Sequence, residues 1–198
     1  VQFNTVPEVD QRQEAYSAFI QDDYKVSRTL TLNLGLRYEY TTPFYGHGTN
    51  KNINFDPATG GLVFATDKDK YLTTPDRNNF GPRVGFAWQA IEEKLVVRGG
   101  YGIFYNTEDI YGSEANLPLN PPQLIQPTLL RVGTGPAPVR LSDPLPPGAL
   151  TNFDSRTIGL RTREREQRSG RIQQFNVAVQ YRVSKSSTFE VAYAGNRG

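Results

Sequence analysis

The feature that most constrains the fold is a strict alternation of apolar and polar residues along residues 28–40. One phase contains Leu30, Leu32, Leu34, Leu36, Tyr38 and Tyr40, and the other contains Thr29, Thr31, Asn33, Gly35, Arg37 and Glu39. A period of two predicts a β-strand with one apolar and one polar face, because a helix would repeat every three to four residues. The strand is also long, since strands most often contain about 5–6 residues.

The same alternation recurs along the chain, which predicts an all-β fold. Strands are expected near residues 14–25, 29–40, 82–90, 94–105, 172–183 and 187–194. The first of these is less regular. Its Tyr16, Ala18, Ile20 and Tyr24 share a phase with Asp22, while Phe19 falls in the other phase. Its two faces therefore stay unassigned.

The connections between these strands alternate between short and long. Three turns are tight, at residues 26–28, 91–93 and 184–186, whereas residues 41–81 and 106–170 form two long connections. Antiparallel membrane barrels have this arrangement, with short periplasmic turns and long extracellular loops. The second long connection is rich in proline over residues 118–147, which predicts an extended, irregular loop.

Composition narrows the function classes. No run of about 18 apolar residues is present, which excludes a membrane helix, but a transmembrane strand needs only roughly 9–11 residues. The absence of cysteine excludes disulfides and thiol chemistry. A net charge of +2 is too balanced for nucleic acid to be the expected partner.

The two phases of the strands predict which residues meet lipid and which line a lumen. Aromatic residues lie near the short-turn ends (Tyr24, Trp88, Tyr181) and near the opposite ends (Tyr38, Tyr40, Tyr105, Tyr193), as expected for rings at two membrane interfaces. We expect these residues to face lipid: Leu30, Leu32, Leu34, Leu36, Phe86, Trp88, Val97, Tyr101, Val177, Val179 and Val191. We expect these residues to face the lumen: Arg37, Glu39, Arg83, Arg98, Gln180 and Glu190.

Six blocks of the sequence carry a family resemblance. They are residues 18–26 (AFIQDDYKV), 30–39 (LTLNLGLRYE), 79–88 (NFGPRVGFAW), 97–105 (VRGGYGIFY), 173–176 (QQFN) and 192–198 (AYAGNRG). In this order they resemble the barrel of TonB-dependent outer-membrane receptors, most closely the Oar-like branch with a carboxypeptidase-regulatory-like N-terminal domain. The resemblance covers most of the strands and omits the long loops.

The resemblance implies a fold, a location and a set of partners. It implies a bacterial outer-membrane barrel of about 22 strands enclosing a plug domain, which takes up a scarce ligand with energy delivered through TonB. The implied partners are outer-membrane lipid and lipopolysaccharide, the plug and remaining barrel strands, the TonB complex and an unknown ligand. No plug, TonB-contacting segment or terminal aromatic strand is visible, so we expect residues 1–198 to form an arc of a large barrel that does not close alone.

Catalytic, metal and cofactor chemistry are not expected. His47 is the only histidine and lies between glycines in a loop, where a solvated side chain is the usual outcome. The acidic pairs lack calcium-loop spacing, and Gly99–Gly102 lacks the spacing of a nucleotide motif. No Gly-x-Ser-x-Gly nucleophile elbow occurs. We expect a protein that is not an enzyme and needs no cofactor.

The densest charge cluster spans residues 161–168 and contains Arg161, Arg163, Arg165 and Arg168 with two interspersed glutamates. It is expected to be a solvated loop, or else an electrostatic contact for lipopolysaccharide phosphates or an anionic ligand.

Two other functions stay open for the whole chain. One is a soluble or surface β-sandwich that binds carbohydrate or protein through its long loops, and the other is a non-transport outer-membrane barrel, such as an adhesin.

Overall fold

The computed structural model describes residues 9–48, 51–106, 114–126, 159–166 and 168–198. These residues form strands and one short 3-10 helix, so the predicted all-β class is confirmed. The six predicted strands are present with slightly different ends. They are β2 (Ala15–Lys25), β3 (Leu30–Thr41), β7 (Phe80–Ile91), β8 (Leu95–Tyr105), β9 (Arg171–Arg182) and β10 (Thr188–Arg197).

These six strands form one antiparallel sheet in the order β10-β9-β8-β7-β3-β2. Long strands that follow one another in the sequence are paired in the sheet, which is therefore a meander. β2 and β10 each have a single neighbour in the part of the chain that the structure describes. The sheet is therefore open at both edges, and the prediction of an arc that does not close alone is confirmed.

Short turns join β2 to β3, β7 to β8 and β9 to β10, all at the same end of the strands. The Ser27 amide donates to the Leu30 carbonyl over 3.2 Å, and the Lys94 amide donates to the Ile91 carbonyl over 3.0 Å. Both long connections leave from the opposite end of the strands, as the alternation of loop lengths predicts. Most of the second connection, residues 107–113 and 127–158, lies outside the described residues.

The chain divides into two compact units. The strand unit contains Glu14–Thr42, Pro75–Glu108 and Arg168–Gly198, and therefore the whole six-stranded sheet. The loop unit comprises Val1–Gln13, Pro43–Thr74 and Asp109–Gln167. Among the described residues, no helix is long and apolar enough to cross a membrane.

The loop unit has secondary structure of its own. β1 (Gln11–Arg12) pairs with β4 (Tyr45–Gly46), and β5 (Ile53–Asp56) forms a hairpin with β6 (Gly61–Phe64). A 3-10 helix spans Glu114–Leu119 and contains Pro118. The expectation of an extended loop from residue 118 onward is therefore wrong at its start. Proline's fixed φ near −65° suits a 3-10 turn as well as an extended chain.

Candidate functional site

The register of the sheet places large apolar side chains in continuous rows on one face. Leu34 lies opposite Val84, Val84 opposite Tyr101, and Tyr101 opposite Phe175. Directly opposed residues point to the same side of a sheet, so all eleven residues expected to face lipid share this side, called the apolar face. Trp88 is 47% exposed and Val191 58% exposed. That this face meets lipid stays a prediction.

The structure also assigns the faces of β2, which the sequence left open. Asp22 lies opposite Leu34 and Tyr24 opposite Leu32, so both are on the apolar face. Phe19 lies opposite Arg37 on the other face, where it is 74% exposed. The register of β2 with β3 is therefore continuous, and Asp22 and Phe19 are two local exceptions to the alternation.

Aromatic rings lie near both ends of the apolar face, with mostly aliphatic residues between them. At the long-loop end, the Tyr16 and Tyr40 rings stack with centroids 6.2 Å apart, and the Tyr38 and Phe80 centroids are 4.8 Å apart. Trp88 lies near the short-turn end, opposite Leu30. Tyrosine and tryptophan favour this placement at membrane interfaces, where an apolar ring body meets lipid and a polar tip meets water.

The opposite side of the sheet, called the polar face, carries paired charges. Arg98 donates to the Glu190 carboxylate over 2.6 Å and to the Gln180 side-chain oxygen over 3.4 Å, which ties three strands together. Arg37 pairs with Glu39 over 2.6 Å. All six residues expected to face the lumen lie here: Arg37, Glu39, Arg83, Arg98, Gln180 and Glu190.

A shallow groove of about 250 Å³ lies on the polar face. Glycines from three strands contribute to its floor: Gly35, Gly85, Gly100 and Gly102. Four amides border it: Gln21, Asn33, Gln174 and Asn176. The Arg83 guanidinium stacks 4.6 Å from the Phe104 ring centroid at one side. Alternation places these glycines in the polar phase, but only the register brings them together across three strands.

Other glycines make room for aromatic rings. A Cβ on Gly99 would lie 2.8 Å from the Phe86 ring, and one on Gly195 would lie 2.7 Å from the Phe175 ring. Each ring covers backbone that the glycine leaves bare on the neighbouring strand. Gly99 therefore makes room for the Phe86 ring.

In the loop unit, a buried asparagine joins three chain segments. Asn120 has no exposed surface. Its amide nitrogen donates to the Ile53 carbonyl over 2.6 Å and to the Arg161 carbonyl over 2.8 Å, while its side-chain oxygen accepts from the Arg161 amide over 2.8 Å. An asparagine amide can replace a missing strand partner in this way because it both donates and accepts. No feature of the sequence distinguished Asn120.

Three arginines of the cluster, Arg161, Arg163 and Arg165, are bonded into this unit, which sequence reasoning did not foresee. Asn54 forms the same two-way bond with the backbone of Arg163, over 2.7 and 2.9 Å. Arg161 donates to the Leu119 carbonyl, and Arg165 pairs with Asp69, each over 2.7 Å. Burial lowers the pKa of Arg163. The guanidinium groups of Arg161 and Arg165 thus have internal partners, and Arg168 belongs to the strand unit.

His47 lines a cavity of about 310 Å³ in the loop unit. Its Nδ1 is 3.3 Å from an Asp10 carboxylate oxygen. Lys51, which pairs with Asp67 over 2.9 Å, also lines the cavity. Nowhere in the described ranges do three or more His, Asp or Glu side chains gather in a way that could hold a metal ion.

The chain matches a protein-family model. The family model described as "Outer membrane beta barrel domain" matches residues 1–198. No curated protein and no solved structure matches the chain significantly.

Proposed function

The chain belongs to the outer membrane β-barrel domain family and so to the bacterial outer membrane, and on that premise we propose that it forms part of the wall of a TonB-dependent receptor. The proposed receptor takes up a scarce ligand and catalyses no reaction. The observation that carries the wall assignment is the exposed apolar face that continues across all six strands. The resemblance of six sequence blocks to the Oar-like branch supports the transport assignment.

The apolar face is the surface offered to lipid. Within the residues that the structure describes, no second sheet of the strand unit covers side chains such as Ile20, which is 71% exposed, and Val191. In water such a surface would be an aggregation site, whereas in a bilayer it is solvated by hydrocarbon. A soluble β-sandwich is not proposed, because it would need that second sheet.

The polar face is the surface offered to the lumen and, in the proposed receptor, to a plug domain. Its ion pairs between Arg98 and Glu190 and between Arg37 and Glu39 are tolerated in a polar lumen. The free edges of β2 and β10 are the sites for further barrel strands, since each edge backbone group left unpaired in lipid costs several kcal/mol.

The loop unit is proposed to face the cell exterior and to contact ligand. Long connections are extracellular in bacterial barrels, and binding residues concentrate on loops held by a rigid scaffold. Lipopolysaccharide is the expected neighbour of this side. The unit's own core supports the assignment, because a folded loop presents side chains in fixed positions.

Genetic dependence on TonB tests the transport function. A strain lacking the full-length receptor should grow more slowly than its complemented parent in at least one medium in which a single nutrient is limiting. In a strain without TonB, deletion of the receptor should have no additional effect in that medium. A growth defect of equal size with and without TonB would instead favour a non-transport barrel, such as an adhesin.

A further inference from the structure

We propose that the cavity beside His47 in the loop unit binds a small hydroxylated anion, a sugar acid or sugar phosphate. The cavity measures about 310 Å³, the lower end of the range for small-molecule sites. Its lining comes from residues 45–48, from Lys51 and from residues 65–67 and Lys70. All of these belong to the loop unit.

The strongest observation is the placement of a lysine ammonium over two rings. Lys70 Nζ lies 3.9 Å from the Tyr45 ring centroid and 4.9 Å from the Tyr71 centroid. The two rings meet edge to face with centroids 5.6 Å apart. Cation–π contacts of this kind hold an ammonium in place. The cation at the cavity is therefore positioned in advance.

The second cation at the cavity is Lys51. Lys51 pairs with Asp67, whose side chain is almost fully exposed. Exposed ion pairs contribute little to stability, so an incoming carboxylate or phosphate can replace Asp67 as the partner of Lys51. Lys51 and Lys70 together favour an anionic ligand.

The remaining lining residues favour a ligand with hydroxyl groups. His47, Thr66 and Asp67 offer a ring nitrogen, a hydroxyl and a carboxylate at the cavity wall. These groups can exchange hydrogen bonds with ligand hydroxyls, which a simple fatty acid lacks. A sugar-sized anion satisfies both the charge and the hydroxyl partners, and it fits a cavity of about 310 Å³.

This inference rests on the proposed function only because it assumes that ligands reach the loop unit. Binding to the purified full-length receptor in detergent tests it without uptake. Calorimetric titrations with glucuronate, glucose 1-phosphate, glucose and hexanoate separate the contributions of charge and hydroxyl groups. At least one of the two sugar anions should bind about tenfold or more tightly than both glucose and hexanoate, and the stronger of them identifies carboxylate or phosphate as the preferred group.

A lysine pair in the same segment supplies the matched variant and control. Lys70→Gln should weaken binding of the preferred anion by about tenfold or more, as expected when a hydrogen bond to a charged group is lost. Lys68→Gln makes the same change outside the cavity lining and should leave binding unchanged. Equal losses in the two variants, or equal binding of all four probes, would overturn the proposal. Anion binding in a receptor that does not depend on TonB would overturn the transport function alone.

Discussion

The two units of this chain treat apolar residues in opposite ways. The buried apolar residues among the described part of the chain all belong to the loop unit: Phe44, Ile53, Ala65, Leu72, Leu117, Leu124 and Ile125. In the strand unit the large apolar side chains of β2, β7 and β10 are exposed. The loop unit therefore excludes water from its own core, whereas the strand unit leaves its large apolar side chains exposed.

The two units also differ in where their polar side chains lie. The loop unit buries Asn52 and Asn120 completely and satisfies backbone groups with their amides. The strand unit keeps Arg98 and Glu190 at a polar surface, where they pair across strands. Backbone bonding in the strand unit comes from a regular ladder, and irregular segments of the loop unit need side-chain substitutes.

Surface labelling of intact cells tests this contrast most directly, because the expected difference is all or none. The chain contains no cysteine, so Ala58→Cys in the β5–β6 turn and Lys185→Cys in a short turn each introduce one thiol. A membrane-impermeant maleimide should label Ala58→Cys on intact cells and label Lys185→Cys only after cell lysis. Labelling of Lys185→Cys on intact cells, with Ala58→Cys protected, would reverse the orientation.

A cavity in the loop unit should destabilise that unit without affecting membrane insertion. Leu117 is only 1% exposed, so Leu117→Ala should cost about 2–5 kcal/mol of local stability. Hydrogen exchange of residues 51–74 should accelerate while the sheet amides stay protected. Leu62→Ala, at a half-buried position of the same unit, is the control with the smaller expected effect. Failure of Leu117→Ala to insert would show that the two units fold as one.

Adjacent residues of β3 test the two faces of the sheet. Leu34→Arg places a charge on the apolar face and should cost about 2–4 kcal/mol of folding free energy in a bilayer. Asn33→Arg places it on the polar face beside Asp23, which already accepts a hydrogen bond from Asn33 over 2.6 Å. Denaturant titration of the full-length protein in vesicles measures both variants. Equal losses would mean that the apolar face does not meet lipid.

The smallest expected effect concerns the hairpin turn of the loop unit. The Thr59 hydroxyl and the Ala58 amide donate to the Asp56 carboxylate over 2.8 and 2.9 Å, and these bonds hold the pKa of Asp56 below its ordinary value. A depressed carboxyl pKa stabilises the turn above the unfolded pKa, and this contribution is lost as pH falls through the folded pKa. Carboxyl NMR titration should give a midpoint below that of an unstructured peptide; a midpoint at the peptide value would remove the carboxylate's role in the turn.

Alternation in the sequence was sufficient to predict the strands and their faces where it was regular. β3 and β8 follow the period of two closely, so their positions and phases could be read directly. β2 could not be assigned because Asp22 and Phe19 each break the pattern, and only pairing with β3 decided its faces. A strand's own periodicity carries no information about its neighbour, and registry depends on both.

By itself, the sequence determined an antiparallel meander with long and short connections in alternation, because period and loop length are local properties. The tertiary structure alone decided that the long connections contain a folded unit. Its central contacts join residues far apart in sequence, such as Asn120 to Ile53 and Asn54 to Arg163. No sequence pattern singled out Asn120 or Asn54. Each side-chain amide bonds to backbone groups that come within reach only when the chain has folded. For the same reason, the cavity beside Lys70 appeared only once the two tyrosine rings had been brought against its ammonium.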